Sequence, residues 1–123
     1  MERYLITPIR NDLNRKIVLL AGPRQVGKTT LSKQLYDDFE YFNYDLAEHR
    51  VLLQKKLWNR KSELIIFDEL HKMQKWKSWV KGIYDVEGSL PRILITGSAK
   101  LDTARKMGDS LAGRHFTYRL HPF

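Results

Sequence analysis

Apolar and polar positions along the chain follow two rhythms. Ile17 to Ala21, Leu64 to Phe67 and Ile93 to Ile95 are unbroken apolar runs, whereas elsewhere apolar residues return every three or four positions. Unbroken runs of this length predict strands buried on both faces, and the wider spacing predicts helices lying over them. A short leading helix carries Leu5, Ile6, Ile9 and Leu13 and is expected to break or bend at Pro8. A strand over 16–21 follows, then a helix from 28 to about 36 that buries Leu31 and Leu35 and stops at Asp37-Asp38. Aromatic residues make 39–45 a second strand, and 47–58 reads as a helix with Val51, Leu52 and Leu57 facing inward.

Lys61-Ser62 turns the chain into the strand at 64–67, which ends in Asp68-Glu69. Trp76, Trp79, Val80, Ile83 and Tyr84 then recur as one face of a helix over 76–85. Gly88-Ser89 with Pro91 marks a turn, 92–96 a further strand ending in Gly97-Ser98-Ala99, and 100–107 a helix. Gly108 and Gly113 bracket an irregular stretch before a last strand at 115–120. Strands that alternate with helices predict a three-layer α/β domain with a mainly parallel sheet of about five strands. No repeat or linker interrupts it, so residues 1–123 read as one domain.

Between the first strand and the next helix stands Gly22-Pro23-Arg24-Gln25-Val26-Gly27-Lys28-Thr29, a full match to G-x-x-x-x-G-K-[ST], so the expected α/β domain is a three-layer P-loop NTPase fold. Glycines let the backbone take positive φ and come close to a polyphosphate, so that successive N–H groups point inward. Lys28 supplies a point charge for the β- and γ-phosphates, and the Thr29 hydroxyl is a hard oxygen donor suited to Mg²⁺. Thr30 continues the loop into the helix. Arg24 has two readings, a phosphate or subunit contact and a plain solvated side chain.

In open parallel sheets ligands gather outside the carboxyl ends of the strands. The loop, Asp68-Glu69 and Thr96-Gly97-Ser98 all fall there. Asp68 is expected to reach the Mg²⁺ held by Thr29, with Glu69 facing the water that attacks the γ-phosphate. Thr96 and Ser98 offer neutral hydroxyls near that water. Ser98 reads equally as the N-cap of the helix that follows it, and the two roles are compatible.

Charge and composition narrow the classes. The net charge is +8, and residues 50–81 alone hold nine Lys or Arg against Glu63, Asp68 and Glu69, together with all three tryptophans. Basic residues among aromatics suit a nucleic-acid or partner surface, with nucleotide acting as a structural switch. The helical spacing of Trp76 and Trp79 predicts instead that the rings are packed, with Lys72, Lys75, Lys77 and Lys81 as solvated positions flanking that face. The absence of cysteine removes disulfides, thiol chemistry and Cys-ligated zinc, and His49, His71, His115 and His121 show no paired metal spacing. No run approaches the roughly 18 apolar residues of a membrane span, and Met1-Glu2-Arg3-Tyr4 lacks a signal's apolar stretch, so the expected location is the cytoplasm.

The ordered motifs resemble those of the AAA-type ATPase domains at the N-terminus of prokaryotic ATP-binding proteins that often carry a C-terminal domain of unknown function. The resemblance is carried by residues 22–30, by Phe67-Asp68-Glu69-Leu70-His71-Lys72, which looks like a Walker B segment, and by Lys75-Trp76 with Ile83-Tyr84-Asp85. It continues through Ile95-Thr96-Gly97-Ser98 and Leu111-Ala112-Gly113-Arg114 into Leu120-His121-Pro122-Phe123. It implies ATP binding with Mg²⁺, slow hydrolysis, Glu69 as the catalytic carboxylate and Ser98 as the polar residue called sensor 1. It further implies that Arg114 is a finger or sensor for the γ-phosphate, offered within one site or to a neighbouring copy in a homo-oligomer; the residue itself reads equally as a surface arginine after the turn at Gly113. The preference for ATP over GTP comes from the resemblance alone. The family pattern continues into a helical lid and later domains, which are expected to be absent from these residues.

Overall fold

The computed structural model describes residues 3–23, 27–88, 90–98 and 115–119. After a 3₁₀ turn at Arg3–Leu5 come α1 (Ile6–Leu13), β1 (Ile17–Ala21), α2 (Lys28–Lys33), β2 (Phe39–Asn43) and α3 (Ala47–Gln54). Next are β3 (Leu64–Asp68), a 3₁₀ turn at Leu70–Lys72, α4 (Trp76–Glu87), β4 (Arg92–Gly97) and β5 (His115–Arg119). All five strands run parallel in one sheet, in the order β2-β3-β4-β1-β5. The chain leaves β1 toward the β2 edge and leaves β4 toward the β5 edge. Strand connections that part in this way open a crevice at the carboxyl ends of the two strands.

Alternate residues of each strand serve opposite faces. Ile17, Leu19, Ile65, Phe67, Ile93 and Ile95 pack with Leu53, Trp58, Leu70, Trp76, Val80 and Ile83 on the side of α3 and α4. Val18, Leu20, Leu64, Ile66 and Leu94 pack with Ile9, Leu13, Leu31, Leu35 and Tyr36 on the side of α1 and α2. Both faces are covered, which is why the strands read as unbroken apolar runs. Each fully buried side chain of this size contributes about 1.5–3 kcal/mol, so the three-layer arrangement is held mainly by these central strands.

The tryptophans are packed, as their spacing predicts. Trp58 and Trp76 are buried, and Trp79 lies edge-on against Phe67 and Trp58 with ring centroids 5.4 and 6.0 Å apart. Several cations of 50–81 are engaged within the chain. Arg60 lies over the Trp58 ring, Lys81 pairs with Asp85 at 2.8 Å, and Lys72, exposed as expected, sits in the 3₁₀ turn before the helix and pairs with Asp45 at 2.6 Å.

Three local expectations need correction. Pro8 neither breaks nor bends a helix into two: it occupies the first turn of α1, where a backbone N–H has no intrahelical partner to lose. The helix predicted over 47–58 ends at Gln54. Leu52 packs inward as expected, but the fully buried residue is Leu53, and Val51 and Leu57 are 49% and 56% exposed. The cause lies in its end. Lys56 N–H bonds Leu53 O at 3.0 Å and Leu57 N–H bonds Leu52 O at 2.9 Å, a Schellman closure with Lys56 at φ +55°. Helix α2 likewise stops at Lys33, although Leu35 and Tyr36 are still buried just beyond it. The helix expected at 100–107 lies outside the described residues. No helix among the described residues is long and apolar enough to cross a membrane.

Candidate functional site

The loop after β1 starts at Gly22, whose N–H donates to Gly97 O at 3.2 Å and so ties the loop to the end of β4. It closes at Gly27, with φ +86°, directly before α2. A Cβ built at Gly27 would meet nothing within 4 Å, so backbone conformation and not crowding by the chain makes glycine fit there. Lys28 opens α2 and is 7% exposed. Its ammonium donates to Gly22 O at 2.9 Å and Pro23 O at 3.0 Å, folding back over the start of the loop.

Strand β3 delivers Asp68 and Glu69 to the same place. Leu64, Ile66 and Asp68 share the sheet face that looks toward α1 and α2, and α2 carries Thr29. Thr29 Oγ1 donates to Asp68 Oδ2 at 3.4 Å. Thr96 is the register partner of Asp68 on β4, fully buried, and its hydroxyl donates to Asp68 Oδ1 at 2.7 Å. The Tyr41 hydroxyl from β2 also donates to Asp68 Oδ2. Burial, with the Asp68 carboxylate beside it, pushes the Tyr41 hydroxyl well above the usual tyrosine range, so it stays a donor.

Glu69 leaves the strand in the left-handed region, at φ +61°, which costs a residue with a Cβ roughly 1–2 kcal/mol. Its N–H donates to Thr96 O at 2.8 Å, and its buried carboxylate lies 3.6 Å from His71 Nε2 and 3.7 Å from Lys72 Nζ. Ser98 Oγ lies 3.4 Å from His71 Nε2, which links the end of β4 to the turn after β3.

These groups surround a cavity of about 470 Å³, with Gly27, Lys28, Thr29 and Thr30 on one side and Asn43, Asp45, Asp68 and Glu69 on the other. The structure therefore brings together Lys28, Thr29, Thr30, Asp68 and Glu69. Gly22 and Pro23 sit behind the Lys28 ammonium, and Ser98 stands beside His71, which lies beside Glu69. Arg24, Gln25, Val26 and Arg114 lie outside the described residues.

Sequence reasoning missed Tyr41, and it assigned Thr96 to the attacking water whereas its hydroxyl is spent on Asp68. A same-face parity count across the strands, with Tyr41 on β2, Asp68 on β3 and Thr96 on β4, carries the signal for both. Asp45, the expected end of the strand over 39–45, lines the cavity and holds Lys72.

The donor set suits a hard divalent cation. Among the described residues no group of three or more His, Cys, Asp or Glu could hold a metal unaided. A hydroxyl and a carboxylate side by side match instead the way Mg²⁺ is held, by one or two protein oxygens with phosphates and water completing the shell.

Comparison with known proteins agrees with this architecture. The chain is 29% identical over 120 residues to the uncharacterized protein MJ1544 of Methanocaldococcus jannaschii, covering 87% of this chain and 26% of that protein. It is 36% identical over 112 residues to the uncharacterized protein Rv2008c of Mycobacterium tuberculosis, covering 86% and 25%. The chain thus spans about a quarter of the length of the curated relatives it matches. Among solved structures, Thermotoga maritima RuvB superposes with a TM-score of 0.57 at 17% identity over 98% of this chain and 42% of its own. PCH-2 of C. elegans gives 0.51 at 18% identity over 97% and 41%, and both likenesses concern the fold. The AAA domain family matches residues 14–123, nearly the whole chain, and with the parallel sheet and the loop after β1 this makes the protein a member of the AAA domain family, nucleotide-binding domains of the ATPase type.

Proposed function

We propose that this domain binds ATP with Mg²⁺ in the cavity between α2 and the ends of β2 and β3, and hydrolyses it slowly. The observation that carries the reading is the meeting of Lys28, Thr29, Asp68 and Glu69 around one cavity of about 470 Å³. Lys28 and the backbone N–H groups of the loop bind the phosphates. Thr29 and Asp68 would hold the magnesium ion, which when bound neutralises phosphate charge. Glu69 accepts a hydrogen bond from the attacking water and takes its proton as the water oxygen bonds to the γ-phosphorus and the bond to the β–γ bridging oxygen breaks, releasing ADP and inorganic phosphate. His71 and Lys72, close to the Glu69 carboxylate, hold it in place for that task. Within this reading Ser98 contacts the γ-phosphate side of the site, and Arg114 is the candidate cation for the γ-phosphate of the same or a neighbouring copy.

The test is calorimetric titration of ATP into the wild-type protein and Lys28→Ala, with magnesium present. Lys28→Ala is expected to lose ATP binding. Equal affinity in the two proteins overturns the site, and tighter binding of GTP than ATP overturns the choice of base.

A further inference from the structure

Asp68 has two carboxylate oxygens, and three hydroxyls from three different elements address them. Thr96 holds Oδ1 from the buried side at 2.7 Å. Oδ2 is shared by Thr29, at the long distance of 3.4 Å, and Tyr41. Thr96 alone leaves the carboxylate one anchor to pivot on. A second anchor on the other oxygen fixes its plane. An oxygen that accepts from Tyr41 keeps a further lone pair for another partner. Hydrogen bonds to an ionised acceptor are also about twice as strong as neutral ones, so this contact is among the stronger constraints on Asp68.

The ring of Tyr41 is held independently of its hydroxyl. Lys33 Nζ lies 4.3 Å from the ring centroid and the His49 ring meets it edge-on at 6.5 Å. The ring also packs against the core on the α1 and α2 side. The hydroxyl is therefore not needed to seat the side chain, and its reach to Asp68 is a separate feature.

We propose that Tyr41 is a positioning residue for the magnesium–nucleotide site, its hydroxyl fixing Asp68 Oδ2 toward Thr29. The inference rests on the reading of the cavity given under Proposed function. Partners that orient a metal ligand typically change metal affinity by about 10- to 100-fold when removed.

The experiment measures ATP affinity by calorimetry, in magnesium and in EDTA, for the wild-type chain and Tyr41→Phe. Tyr41→Phe is expected to keep the wild-type affinity in EDTA and to lose roughly tenfold of the strengthening that magnesium brings. Full strengthening in Tyr41→Phe overturns the inference, and so does a gain, which would make Tyr41 a competitor of the ion. An equal loss with and without magnesium also overturns it, because that is the mark of a packing role. Wild-type affinity that magnesium leaves unchanged refutes the magnesium site itself, and is thereby distinguished from failure of Tyr41 alone. In ligand-free protein, urea unfolding of Tyr41→Phe, Asp68→Ala and the double variant is expected to show coupling of roughly fivefold in the unfolding constant. Additive effects overturn the bond on which the inference stands.

Discussion

Thr29 and Asp68, 39 positions apart in the chain, meet through Oγ1 and Oδ2 at 3.4 Å. Two features make the meeting possible. Gly27 turns the chain at positive φ so that α2 starts beside the sheet, and the two-residue period of β3 puts Asp68 on the face that α2 covers. A one-residue slip of β3 would instead turn Asp68 toward the α3 and α4 layer. The apolar run before Asp68 thus sets both its burial and its direction.

Glu69 separates binding from turnover. Its carboxylate is not among the groups that touch Asp68, so Glu69→Gln is expected to retain ATP affinity in magnesium. Hydrolysis should fall by about 10²–10⁴-fold, the usual worth of a positioned base. Phosphate release and calorimetry on the same preparation check this. Hydrolysis within threefold of wild type would remove Glu69 from the role.

Much of this is legible in the sequence alone, and the reason is physical. Strands covered on both faces must be apolar throughout, so β1, β3 and β4 announce themselves, and the loop and acidic pair stand at their ends. Tyr41 was not legible because its contact depends on the order of strands in the sheet, which a linear pattern does not carry. The inward face of α3 departs from the expected one at Val51 and Leu57 for a more local reason. Val51 and Leu57 fit a helical face only if the helix continues to Trp58, and the left-handed Lys56 ends it before that.

That correction has a mutational signature. Leu53 is fully buried among the residues packed on β3 and α4, whereas Val51 is half exposed. Leu53→Ala should cost about 2–5 kcal/mol in unfolding free energy. Val51→Ala should stay within about 0.5 kcal/mol, as exposed positions do. Urea denaturation of both decides the matter, and a larger loss at Val51 than at Leu53 would make Val51 the inward residue.

Lys56 occupies the position after the α3 C-cap at which glycine is favoured, with φ +55° and an exposed side chain. Relief of the left-handed strain, about 1–2 kcal/mol, outweighs the extra backbone entropy of glycine in the unfolded chain, about 0.5–1 kcal/mol. Lys56→Gly is therefore expected to stabilise the domain by about 0.5–1 kcal/mol with no change in ATP affinity. A lower denaturation midpoint would contradict the Schellman closure.

Tyr118 on β5 donates its hydroxyl to Asp12 in α1 and fastens the edge strand to the first helix. Burial, then the hydrogen bond and charge of Asp12, pushes its pKa up to about 12 from 10.0. The raised value means that the folded state favours the protonated hydroxyl. Its contribution is fully present below pH 10, declines as the pH rises and is gone above about 12. Tyr118→Phe removes that contribution at every pH. The stability gap between wild type and Tyr118→Phe, measured by urea unfolding, should be constant up to about pH 10 and close between there and 12. The difference between the two proteins cancels the titration of the other tyrosines and of the lysines. A gap that widens with alkaline pH would reverse the sign and place the anionic form of Tyr118 in the folded state.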